Sequence, residues 1–127
     1  MRPFSWLSNI LLRLRYPVAL PEEIATDIGV SISNFLSFDE FVSTLANLTS
    51  RPLNLKRFMP RDTAEAAFQS AQRKERFGRN SLFYYYFNEG WLEFSLYFDE
   101  QSRLRRVYLK HRQLPREQGV EILLNQV

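Results

Sequence analysis

Hydrophobic positions recur with a helical period through the first half of the chain and with a period of two through much of the second. Phe4, Leu7, Ile10, Leu11 and Leu14 fall three and four apart, with Ser5, Ser8, Asn9, Arg13 and Arg15 on other sides of the wheel. This spacing predicts an amphipathic helix ending at Tyr16-Pro17. Pro21 at a first helical position, Glu22 and Glu23 in the first turn and Gly29 at a left-handed cap predict a second short helix, anchored by Ile24 and Ile28. Val30 to Ser33 alternates too briefly to separate a short strand from an extended connector. Ser37 and Glu40 have capping-box spacing, and Phe38, Phe41, Val42, Leu45 and Leu48 continue one apolar helical face. Pro52 and Asn54 make residues 51–59 a loop. Asp62 and Glu65 cap a further predicted helix with a narrow stripe of Ala64, Ala67, Phe68 and Ala71. Its polar side runs on to Arg73, Lys74 and Arg76, where cations complement the negative helix end, and Gly78 lies just beyond.

From Ser81 the period changes. Residues 82–87 are an aromatic run, Asn88-Glu89-Gly90 supplies a turn, residues 91–98 alternate, residues 99–103 are a polar turn, and residues 104–111 alternate again. Three hairpin-connected strands follow from this pattern. Leu92, Phe94, Leu96 and Phe98 share one face of the middle strand, while Trp91, Glu93, Ser95 and Tyr97 share the other. In the last strand Val107 and Leu109 belong with the buried set, leaving Arg106, Tyr108, Lys110 and Arg112 outside. Pro115 is read as opening a terminal helix that carries Val120, Leu123 and Leu124, with Gly119 weakening it by about 1 kcal/mol relative to alanine. The predicted architecture is α+β: several short N-terminal helices packed on a three-stranded antiparallel meander, with a short C-terminal helix. No repeat or linker divides the sequence, so residues 1–127 are read as a single domain.

Composition narrows the classes. A chain of 127 residues is long enough to bury roughly two-thirds of its unfolded surface around one core. With 45% hydrophobic and 24% charged residues it falls outside the disordered classes. The absence of cysteine excludes disulfide scaffolds, thiolate nucleophiles and thiolate zinc sites, and makes cytoplasm the default compartment. A net charge of +3 is a solubility statement unless the cations cluster. The start of the chain has the outline of a secretion signal, but Ser5, Ser8 and Asn9 interrupt it and no small-x-small cleavage site follows, so an unprocessed soluble protein is expected.

The chemistry-bearing residues are few. His111 is the single histidine, read as a partly exposed strand-end residue beside Lys110 and Arg112. The carboxylate pairs Glu22 with Glu23, Asp39 with Glu40 and Asp99 with Glu100 fall at helix starts or turns, where capping alone accounts for them. Gly-rich phosphate loops, nucleophile elbows and metalloprotease helices do not occur. The expectation is a non-enzymatic protein with no catalytic, cofactor-binding or metal-binding residues.

Binding is the remaining class. Arg103, Arg105, Arg106, Lys110, Arg112 and Arg116 fall in one stretch without an acid, and several alternate with Tyr108 beside Trp91 and Tyr97. The candidate surface is therefore Trp91, Tyr97, Arg106, Tyr108, Lys110 and Arg112. Tyr, Trp and Arg dominate binding energy at interfaces, so a protein partner is expected in an adaptor role, with a homo-oligomer as one form of it. Rings and cations on one sheet face also suit single-stranded nucleic acid, although Glu93 shares the face. A third reading places Phe4, Trp6 and Leu7, with Arg2, Arg13 and Arg15, on an anionic membrane surface.

The order of short helices before a meander, with Phe98, Asp99, Arg103 and Leu104 at its turn, is similar to that of small bacterial outer-membrane assembly lipoproteins. The likeness covers about the second half of the chain. This sequence departs from that family in having no cysteine to carry lipid and an N-terminal stretch that is not read as a signal segment, so no location or role is carried over.

Overall fold

A computed structural model describes residues 18–31, 37–48, 51–112, 114 and 119–126. The predicted helix over residues 4–16 lies outside these, as do residues 32–36 and Pro115.

Helix α1 (Pro21–Ile28) starts at a proline whose missing N–H costs nothing there, and Glu23 accepts a hydrogen bond from the Leu20 N–H at 3.3 Å. Gly29, at φ 77°, closes it by donating to the Ala25 carbonyl. Helix α2 (Phe38–Ala46) begins where Ser37 Oγ accepts from the Glu40 N–H at 3.2 Å, and its apolar stripe buries Phe41, Val42 and Leu45. The loop after it contains strand β1 (Lys56–Arg57) and a fully buried Leu55. Helix α3 (Arg61–Ala67) follows Pro60.

The helix predicted to run from Asp62 to Arg76 stops at Ala67. Phe68 leaves the helical region, at φ −85° and ψ 54°, and puts its ring 4.5 Å from that of Phe83, stacked, and 5.3 Å from that of Phe94. Beyond it, residues 73–77 have no helical stripe to bury, and they pair instead with the free edge of the next strand. They form β2 (Arg73–Phe77), joined through a two-residue Gly78-Arg79 turn to β3 (Asn80–Phe87), with Gly78 at φ 54°. Strands β4 (Gly90–Phe98) and β5 (Leu104–Lys110) continue the antiparallel order.

Over residues 119–126 the predicted C-terminal helix is replaced by β6 (Val120–Ile122), which pairs with β5, and β7 (Asn125–Gln126), which pairs in parallel with β1. Leu123 and Leu124, adjacent on the expected helical face, are separated by strand alternation: Leu123 is exposed and Leu124 buried with Ile122. The three-stranded meander is thus the centre of a five-stranded antiparallel sheet ordered β2-β3-β4-β5-β6, beside a two-stranded parallel sheet, with three helices among the described residues. The missing strands flank the meander on both sides and were hidden by charge in one case and by shortness in the other.

Inner-face residues of the sheet meet the helices in one core that includes Ile24, Ile28, Phe41, Leu45, Phe68, Tyr85, Phe94, Leu96 and Leu109. A bulge keeps this face continuous. Tyr97 pairs with Arg106 but Phe98 with Leu104, so Arg105 is an extra residue on β5. Strict alternation would put Leu104 on the side of Arg106 and Tyr108. The extra residue turns Leu104 inward, where it is fully buried. Among the described residues, no helix is long and apolar enough to cross a membrane.

Candidate functional site

Strand register assembles the outer face row by row. One row across the sheet reads Arg73, Tyr84, Glu93, Lys110; the next reads Glu75, Leu82, Ser95, Tyr108, Glu121; a third reads Phe77, Asn80, Tyr97, Arg106. Tyr86 and Trp91 pair at the end near the β3–β4 turn.

Three of the six sequence-derived residues form one contact group. The Tyr97 and Tyr108 rings meet edge to face with centroids 5.4 Å apart, and Arg106 Nη1 donates to the Tyr108 hydroxyl at 3.3 Å. That hydrogen bond is the main reason the Arg106 guanidinium holds its proton more tightly than usual. Lys110 lies one row away, its Nζ 3.6 Å from Glu93 Oε2, which also accepts from Ser95 Oγ at 2.8 Å. Trp91 belongs to a second aromatic group, edge-on to Tyr84 at 6.1 Å and to Tyr86 at 5.2 Å. Arg112 is not on the face: it follows the end of β5, in a turn beside Gly90.

The basic stretch is divided by the same geometry. Arg106 and Lys110 point outward on the sheet, whereas Arg105, at the bulge, lies 3.7 Å from Asp99 and over the Phe58 ring. Arg103 lies in the β4–β5 turn, where its N–H and that of Gln101 donate to Asp99 Oδ1. These backbone donors, Arg103 first, hold the Asp99 carboxyl below its ordinary range.

Sequence reading left out Arg73, Glu75, Tyr84 and Glu121. Tyr84 was findable, since it stands in the aromatic run two residues from Tyr86. The others required β2 and β6. Burial, followed by the Glu93 carboxylate, pushes the Tyr84 hydroxyl up to about 12. With Arg73, Arg106 and Lys110 set against Glu75, Glu93 and Glu121, the three rows carry no net charge.

Two polar clusters elsewhere are structural ties. Asp27, buried, accepts from Tyr85 Oη at 2.7 Å, from the Ser70 N–H at 2.8 Å and from Ser70 Oγ at 3.2 Å. Burial and then Asp27 drive the Tyr85 hydroxyl far above its ordinary pKa. Glu65 receives Arg61, Arg76 and Ser81, the last at 2.5 Å. Burial raises its pKa, but the combined hydrogen bonds and charge of these partners outweigh that and leave it lowered.

His111 is buried, not partly exposed. Its ring centroid lies 5.1 Å from that of Phe38, and Nε2 lies 3.1 Å from the Glu89 carbonyl oxygen. Among the described residues, no three His, Cys, Asp or Glu side chains are placed to hold a metal ion. No protein-family model, curated protein or solved structure matches this chain.

Proposed function

We propose that the chain is a non-enzymatic binding protein that contacts a protein partner through the outer face of its five-stranded sheet. The observation that carries this is the row arrangement of half-buried rings, Tyr84, Trp91, Tyr97 and Tyr108, among equal numbers of cations and carboxylates. Rings fixed by neighbours lose little entropy on binding, and Tyr, Trp and Arg are the side chains that concentrate interface energy. Charge balance favours protein over single-stranded nucleic acid, because binding a phosphate backbone depends on uncompensated cations. Here Lys110 is engaged by Glu93 and Arg73 by Glu75.

The test is quantitative affinity capture with the full chain and a Tyr97→Ala/Arg106→Glu variant whose circular dichroism matches the parent. Partners should be lost from the variant, or, if the partner is a second copy, its sedimentation should fall to that of a monomer. An identical bound set and identical sedimentation would remove the proposal.

A further inference from the structure

A concentration of positive charge lies where the end of the aromatic rows at Arg106 and Glu121 meets the β1–β7 pair. Arg51, Arg57, Arg105 and Arg106 line a cleft of 240 Å³ between the β1–β7 pair and the β5–β6 edge, and Glu121 is the one carboxylate among its lining residues. Four arginines against one carboxylate leave the lining positive. Arg105 is paired with Asp99 at 3.7 Å, but among the described residues no carboxylate lies within ion-pair distance of Arg51, Arg57 or Arg106. Arg51 is anchored through Nη1 to the Leu124 carbonyl at 2.9 Å, which fixes one edge of its fork.

Phe58 organises two of these cations. It occupies the left-handed region at φ 71°, an uncommon conformation for a bulky residue, and its N–H donates to the Leu104 carbonyl at 2.6 Å. Its ring carries the Arg57 guanidinium at 5.9 Å and that of Arg105 at 4.7 Å. The Phe58 ring thus holds two guanidinium groups of the cleft lining against Coulomb repulsion; Asp99 offsets Arg105, and among the described residues no carboxylate within ion-pair distance offsets Arg57.

We infer that this cleft binds a phosphoryl anion. With Asp99 set against Arg105, an excess of two positive charges remains; a single carboxylate brings one negative charge to it, whereas each phosphate monoester brings about 1.5 to 2 and several oxygens that match guanidinium forks. The cavity falls below the roughly 300 to 1,000 Å³ usual for drug-sized ligands. One or two phosphoryl groups, free or as the headgroup of a lipid, are the size that it holds. The inference stands apart from the protein-binding reading, with Arg106 and Glu121 the residues common to both.

Isothermal titration of the full chain with inorganic pyrophosphate at low ionic strength tests it, alongside co-sedimentation with phosphatidylcholine vesicles with and without a phosphoinositide. Arg57→Gln should weaken binding roughly tenfold and Arg57→Gln/Arg105→Gln much further, since each removes a charge-assisted donor pair. Arg73→Gln, on the far edge of the sheet, should change nothing. Binding of pyrophosphate without sedimentation assigns the phosphoryl group to a soluble ligand, and phosphoinositide-dependent sedimentation assigns it to a lipid headgroup. The inference is overturned if neither probe binds, if the double variant keeps the parent affinity, or if Arg73→Gln weakens binding as much as Arg57→Gln does.

Discussion

Tyr84 carries a pH signature that follows from its row neighbours. Burial comes first and the Glu93 carboxylate second, and together they raise its hydroxyl from 10.0 to about 12, while Arg73 over the ring acts in the opposite direction. A group whose folded pKa lies above its unfolded value contributes stability that is complete below the unfolded pKa and is lost as pH rises through the folded one. Stability should therefore decline between pH 10 and about 12, in the window set by this residue. Tyr85, shifted in the same direction, contributes to the same decline, so the comparison that isolates Tyr84 is parent against Tyr84→Phe. Denaturant midpoints measured across this range should fall less steeply in the variant, and phenolate absorbance should lose one late-titrating group. Parallel curves for the two proteins would contradict the placement of Tyr84 beside Glu93.

Asp27 ties three elements together. Its carboxylate joins α1 to Ser70, in the turn after α3, and to Tyr85 on β3, so it links the helices to the sheet through three hydrogen bonds. Tyr85→Phe leaves Asp27 with both Ser70 donors and should cost about 1.5 kcal/mol, as the loss of a hydrogen bond to a charged group. Asp27→Ala leaves a buried hydroxyl and a backbone N–H without their acceptor and should cost about 3 kcal/mol. Urea denaturation orders the two, and equal costs would mean that the Ser70 bonds contribute nothing. Asp27 was illegible in the sequence because its partners are 43 and 58 residues away. What was legible was local: Pro21 and Gly29 bounding α1, Ser37 capping α2, and the alternation of Leu92 to Phe98 on one face of β4. β2 was not, since Arg73 to Phe77 reads equally as a charged helix end until β3 is present to pair with it. The candidate surface shared this limit. Pairing on β4 and β5 gave Tyr97, Arg106 and Tyr108, while the carboxylates that balance them came from strands the periodicity did not reveal.

At the scale of the whole molecule, the last described segment closes the fold. β6 covers the edge of β5, Ile122 and Leu124 enter the core, Leu124 also receives Arg51, and β7 pairs in parallel with β1 from the middle of the chain. Gly119 admits this segment. It sits at φ 86°, buried against β5, and a Cβ there would lie 2.4 Å from the Leu109 carbonyl oxygen and 3.0 Å from the carbonyl carbon. The obstruction is backbone, which cannot rotate aside as a side-chain tip would. In a helix Gly119→Ala would stabilise; in this pairing it pays both the left-handed strain and the clash, about 3 kcal/mol together. Gly78→Ala is the matched control, because Gly78 also has positive φ, at 54°, but a Cβ there meets nothing within 4 Å. Its cost is limited to the backbone term, about 1 kcal/mol. Chemical denaturation of the two variants reads the difference, and hydrogen exchange locates it: Gly119→Ala should release protection at the β5–β6 pairing first, while Gly78→Ala leaves it intact. Equal destabilisation by the two substitutions would mean that β6 does not dock on β5, and the arginine-lined cleft that this docking forms would be lost with it.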